Sequence, residues 1–118
     1  MNEQFPNDEV GGKQRAIVHI LSVSAEPDQS HRLASDATAL LRDLGPSLEG
    51  FIEGRVFEDD GGKSVTVMTT WQTRHLWAKA VWNQRVDGLL ESVDRHQKLF
   101  DAVCYEISAF APNRSRNA

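Results

Sequence analysis

The chain has 118 residues, 40% hydrophobic and 25% charged, with a formal net charge of −4. One domain of ordinary size is expected, with no run of eighteen or more apolar residues to cross a membrane. The acidic balance and the scatter of lysine and arginine exclude the basic footprint that nucleic acid binding requires. Cys104 stands alone. It closes no internal disulfide, and the expected setting is reducing and cytoplasmic. The first residues lack a basic region followed by an apolar block, so no secretory leader is read there.

Residues 1–14 are polar, hold Pro6 and Gly11-Gly12, and read as a flexible tail. The domain is expected over 15–111, and 112–118 reads as a second flexible tail that opens with Pro112. "RAIVHILSVS" (15–24) is short and apolar on both faces, the pattern of a strand covered on both sides. Leu33, Ala37, Leu40, Leu41 and Leu44 then share one helical face. Asp28 or Ser30 can cap that helix, and Gly45-Pro46 ends it as a C-terminal glycine followed by a breaker.

"GFIEGRVFED" (50–59) and "KSVTVMTTWQ" (63–72) alternate about the turn sequence "DDGG" and predict a hairpin. Val65, Val67, Thr69 and Trp71 share one face of its second strand, while Glu53 and Arg55 are expected on the same side as Phe51 and Phe57. Thr73 can cap the next helical segment. Between Thr73 and Lys98 the periodicity fits either one helix or two, broken near Asn83 or Gly88. "FDAVCYEISAF" (100–110) is the expected last strand.

The order β-α-β-β-α-β predicts an α+β, ferredoxin-like antiparallel sheet with helices on one face. The first strand is apolar on its other side too, and one layer of helices leaves that side open. A second copy packed sheet to sheet would cover it, so a homodimer is expected.

"GFIEGRVFEDDGGKSVTVMTTWQTRHLWAKAVWNQ", with its Gly50-Phe51 entry and its strand ending in Trp71, resembles the antibiotic biosynthesis monooxygenase domain of the dimeric α/β-barrel superfamily. "LLESVDRHQKLFDAVCYEI" resembles the family's ending. The resemblance implies a homodimeric barrel, a cleft between sheet and helices, and oxidation of aromatic molecules by molecular oxygen with no bound cofactor. It also places Trp71 beside a substrate. Haem-cleaving relatives carry a histidine near the positions of Val81 and Trp82 and an asparagine in the first strand. Here the helix offers only His75, and the first strand has no asparagine.

His19, inside the first strand, is a candidate general base for a phenol. Tyr105, the sole tyrosine, can donate to a carbonyl oxygen. Together with Trp71 they form the candidate catalytic set. Trp71, Trp82, Arg55 and His75 are the candidate substrate contacts. Each also has a structural reading: Trp71 as a core ring, Trp82 as core, cleft rim or dimer contact, His19 as a satisfied strand histidine, Tyr105 as a packed phenol, Arg55 as a partner of Glu53. The four histidines lack ligand spacing, so no metal site is expected, and "GGKS" lacks the first glycine of a phosphate loop. Two functions stay open. One is a cofactor-independent monooxygenase-like protein acting on an aromatic or quinone-like molecule. The other is a non-catalytic dimeric module that binds a small hydrophobic or aromatic ligand, or that regulates.

Overall fold

The structure, a computed structural model, describes residues 9–10 and 13–112, with side chains from Arg15 onward. Most of the two expected tails lies outside the described residues. Of the first, the structure describes only a short ladder pairing Glu9–Val10 with Lys13–Gln14.

Four strands form the sheet: β1 (Ile17–Ser24), β2 (Phe51–Glu58), β3 (Ser64–Trp71) and β4 (Gln97–Cys104). Their order is β2-β3-β1-β4 and every pairing is antiparallel. Helices α1 (Pro27–Leu44), α2 (Arg74–Lys79) and α3 (Trp82–Glu91) complete the ferredoxin-like α+β fold. The period-2 alternation of β1 and β3 decides which face is buried. Ile17, Leu21 and Val23 interleave with Val65, Val67 and Trp71 beneath Leu33 and Ala37 of α1 and Trp82, Val86 and Leu90 of α3. Each valine, leucine or isoleucine among them contributes about 1.5–3 kcal/mol by leaving water. The opposite face carries Val18, Ile20 and Met68, all half-buried, and the exposed rings of Phe57 and Phe100 at 48% and 49%.

Two glycines set how the helices meet β2. Gly50 has φ +82°, a left-handed conformation, and an added Cβ would lie 2.5 Å from Leu76 Cδ1. Its carbonyl accepts from the Gln72 N–H at 2.7 Å, which ties the entry of β2 to the exit of β3. At Gly54 a Cβ would lie 2.6 Å from Leu41 Cδ2, so α1 seats its leucine in the notch that glycine leaves.

Several local expectations are corrected. The hairpin register shifts between Phe51 and Glu53. This bulge turns Phe51 toward the helices, where its ring meets Trp71 edge-on at 5.3 Å. Glu53, Arg55 and Phe57 stay on the opposite face, so they do not share a side with Phe51. The last strand begins earlier than expected and ends at Cys104, because its ladder on β1 ends at the pair Val18↔Cys104. Beyond it, Ile107 and Phe110 are 87% exposed.

The helical segment is two helices, and the break falls at Ala80–Val81 rather than at Asn83 or Gly88. Ala80 turns extended (ψ 140°), and Asn83 Nδ2 donates to the Trp77 carbonyl at 2.9 Å, which satisfies the end of α2. Thr73 caps α2 as expected, its Oγ1 accepting from the Leu76 N–H at 3.1 Å. Glu26, not Asp28 or Ser30, is the N-cap of α1 and offers it no side-chain bond; the Ser30 hydroxyl donates to the Ala25 carbonyl instead. Gly45 is right-handed (φ −47°) and leads into a 3-10 turn, so it does not act as a left-handed helix terminator.

Candidate active site

β1 and β4 lie side by side with His19 opposite Val103 and Leu21 opposite Asp101. That register brings two polar groups of the helix-facing side, His19 and Asp101, into reach. His19 Nε2 and Asp101 Oδ1 are 2.7 Å apart. A carboxylate only accepts, so Nε2 carries the proton and donates it. The neutral tautomer then leaves Nδ1 with the lone pair, and Nδ1 has no partner among the described residues. On the other side of the carboxylate, Lys98 Nζ approaches Asp101 Oδ2 at 3.4 Å.

His19, Asp101 and Lys98 line a cleft of about 230 Å³ with Leu21, Trp77, Asn83, Val86 and Asp87. The rings of His19 and Trp77 lie 5.2 Å apart at an angle of 43°. The indole Nε1 of Trp77 is buried and has no hydrogen-bond partner among the described residues. Partial burial pushes the Asp101 carboxyl up, but the hydrogen bond and charge of His19, then those of Lys98, outweigh it. The carboxyl is held below its usual range. It therefore remains an anion across the neutral range, able to orient His19 and to stabilise the imidazolium once Nδ1 takes a proton.

No protein-family model and no curated protein matches the sequence. Solved structures do. A monooxygenase from the ActVA-Orf6 gene of Streptomyces coelicolor, solved in complex with nanaomycin D, superposes with a TM-score of 0.66 at 15% identity over 83% of this chain and 93% of its own. SnoaB, a cofactor-independent oxygenase from Streptomyces nogalater, gives 0.60 at 10% identity, over 83% and 98%. A Nitrosomonas europaea chain provisionally named an antibiotic biosynthesis monooxygenase gives 0.59 at 10% identity, over 79% and 91%. The chain has the antibiotic biosynthesis monooxygenase fold.

Within that fold, the candidate residues read from the sequence do not converge on one place. His19 lies in the cleft. Trp71 is fully buried at 0% exposure, and its Nε1 donates to the buried Thr69 Oγ1 at 2.9 Å. A ring with no exposed surface meets no ligand in this conformation. Trp82 is likewise a core residue, at 1% exposure, beneath α3. Arg55 pairs with Glu53 at 3.6 Å on the sheet face opposite the helices. His75 is exposed on α2 and does not line the cleft. Tyr105 follows the end of β4, half-buried, with the Arg15 guanidinium 4.1 Å from its ring centre.

Asp101, Trp77, Lys98, Asn83 and Asp87 are the cleft residues that sequence reasoning missed. Asp101 had one signal, a lone acid inside an otherwise apolar strand segment. Only the β1–β4 register joins it to His19. Trp77 shares its helix with apolar neighbours, which is why it reads as core.

A second, more open groove of about 430 Å³ lies between α1 and β2, lined by His31, Ser35, Thr38, Arg42, Val56 and Glu58. There His31 and Glu58, 3.5 Å apart, join an exposed imidazole to a carboxylate. Neither group is oriented by a third. Among the described residues, no cluster of three or more His, Cys, Asp or Glu side chains could hold a metal ion. Among the described residues, no helix is long and apolar enough to cross a membrane.

Proposed function

We propose that the protein is a cofactor-independent monooxygenase-like enzyme acting on an aromatic or quinone-like small molecule bound in the cleft beside His19. The observation that carries this is the His19–Asp101 pair, 2.7 Å apart, on the wall of a cleft that also presents the Trp77 ring. The likeness to SnoaB supports a chemistry in which the substrate supplies its own electrons. His19 Nδ1 takes the proton from a phenolic or enolic hydroxyl, and Asp101 stabilises the imidazolium. The anion left on the substrate is electron-rich enough to react with oxygen. A ring CH₂ becomes a carbonyl, and the second oxygen atom leaves as water.

Oxygen uptake with a panel of anthrones and hydroquinones tests this. His19→Gln, which keeps the polarity but removes the base, should lower the rate about 10²–10⁴-fold with the fold intact. Equal turnover by wild type and H19Q would sink the assignment.

The full burial of Trp71 favours a second reading, a non-catalytic module of the same fold that binds a small ligand or regulates. Here the panel would bind without oxygen uptake. We also propose a homodimer in which the face bearing Val18, Ile20, Met68, Phe57 and Phe100 packs against its copy, and a cytoplasmic location. Apolar side chains gathered on one sheet face, unlike single scattered ones, mark an interaction surface. Sedimentation at micromolar concentration should give twice the chain mass, and a folded monomer there would contradict the dimer.

A further inference from the structure

The cleft's charges narrow the class of ligand it can hold. Its ionisable lining is Lys98, Asp101, Asp87 and His19. Lys98 and His19 both engage Asp101, through Oδ2 and Oδ1 respectively, so that carboxylate is already spoken for. Asp87, on α3 across the cleft from β4, has no hydrogen bond or ion pair among the described residues. One carboxylate acceptor thus stands open while the single ammonium is engaged. The His19 side chain is 10% exposed, and its Nδ1 is a second acceptor of the lining without a partner among the described residues.

Resting on the proton-abstraction site proposed above, we propose that the cleft selects uncharged aromatic ligands carrying two separated hydroxyls, and that Asp87 is the specificity-determining residue. One hydroxyl meets His19 Nδ1. The ring lies along the Trp77 indole, and the second hydroxyl donates to the Asp87 carboxylate. A hydrogen bond to a charged acceptor is among the stronger neutral-to-ion contacts, and it discriminates sharply against a ligand that lacks the donor. A ligand carboxylate in the same place meets a like charge at short range and is rejected.

Calorimetric titration of the whole chain, without oxygen, reads binding apart from turnover. The probes are 1,5-dihydroxynaphthalene, 1-naphthol and 5-hydroxy-1-naphthoate, against wild type, Asp87→Ala and Asp87→Asn. Wild type should bind the diol about tenfold tighter than the mono-ol, the size of one charge-assisted hydrogen bond. It should bind the naphthoate more weakly than 1-naphthol. D87A should erase the diol's advantage. D87N should let the naphthoate recover while keeping part of that advantage through its amide oxygen. Asp87 is exposed on its helix, so both variants should fold, and thermal melting verifies it.

A diol preference unchanged in D87A, or a naphthoate that outbinds 1-naphthol on wild type, would overturn the proposal. These titrations are independent of whether oxygen is consumed. Selective binding with no oxygen uptake would uphold the ligand class and reject the oxygenase, whereas uptake with no Asp87-dependent selectivity would do the reverse.

Discussion

Trp71 and Trp77 stand six residues apart, and their surroundings are opposite. Trp71 has no exposed surface, gives its N–H to Thr69, and meets Phe51 edge-on. Every polar and apolar demand of that ring is met within the chain. Trp77 is half-buried, leans on a histidine, and keeps a buried N–H without a partner. A buried polar group left unsatisfied costs free energy that a fold tolerates where something else is gained. The difference separates a ring that builds the protein from one at the edge of a site.

Three experiments press on that contrast. The largest effect is expected from Trp71→Ala, which should cost about 3–5 kcal/mol of stability by leaving a cavity between β3 and the helices. Trp77→Ala should cost clearly less and instead weaken ligand binding. Urea unfolding of both variants measures this, and equal losses would erase the distinction.

Thr69→Val comes next. It keeps the shape of the side chain but removes the acceptor, so the buried Trp71 N–H is orphaned. The expected loss is about 1–3 kcal/mol. A neutral result would mean that the indole finds another acceptor.

The smallest effect belongs to Asp101→Asn. The Asp101 carboxyl is held below its ordinary value in the folded chain, so its contribution is fully present above the unfolded pKa. That contribution is lost as pH falls through the folded one. The stability gap between wild type and D101N should be constant above about pH 5 and should close on acidification below about pH 4. Its size stays under about 1 kcal/mol because the carboxylate is partly in water. Melting curves across pH read it directly, and a gap that widens on acidification would reverse the assignment.

Much of the fold could be read from spacing alone. Alternation in 63–72 marked the buried side of β3 residue by residue, and the turn at 59–62 fixed the hairpin. What spacing does not carry is which strands become neighbours and where a ladder slips. The bulge at Phe51 reversed the side on which that ring lies. The end of β1 set the end of β4. The site suffered most from this limit. His19 was visible as a titratable group in an apolar strand, but its partner sits 82 residues away and is chosen by register. The Trp71 resemblance drew attention to the end of β3, whereas the open cleft lies at the seam of β1 and β4.

β4 is an edge strand, paired on β1 alone, and its ladder is interrupted near Ser22 and Val23. The two halves of the dyad therefore rest on backbones of unequal permanence. His19 belongs to a strand clamped on both sides, while Asp101 rides on one held along a single edge. Local opening of that edge would uncouple the imidazole from its carboxylate and widen the cleft in the same movement.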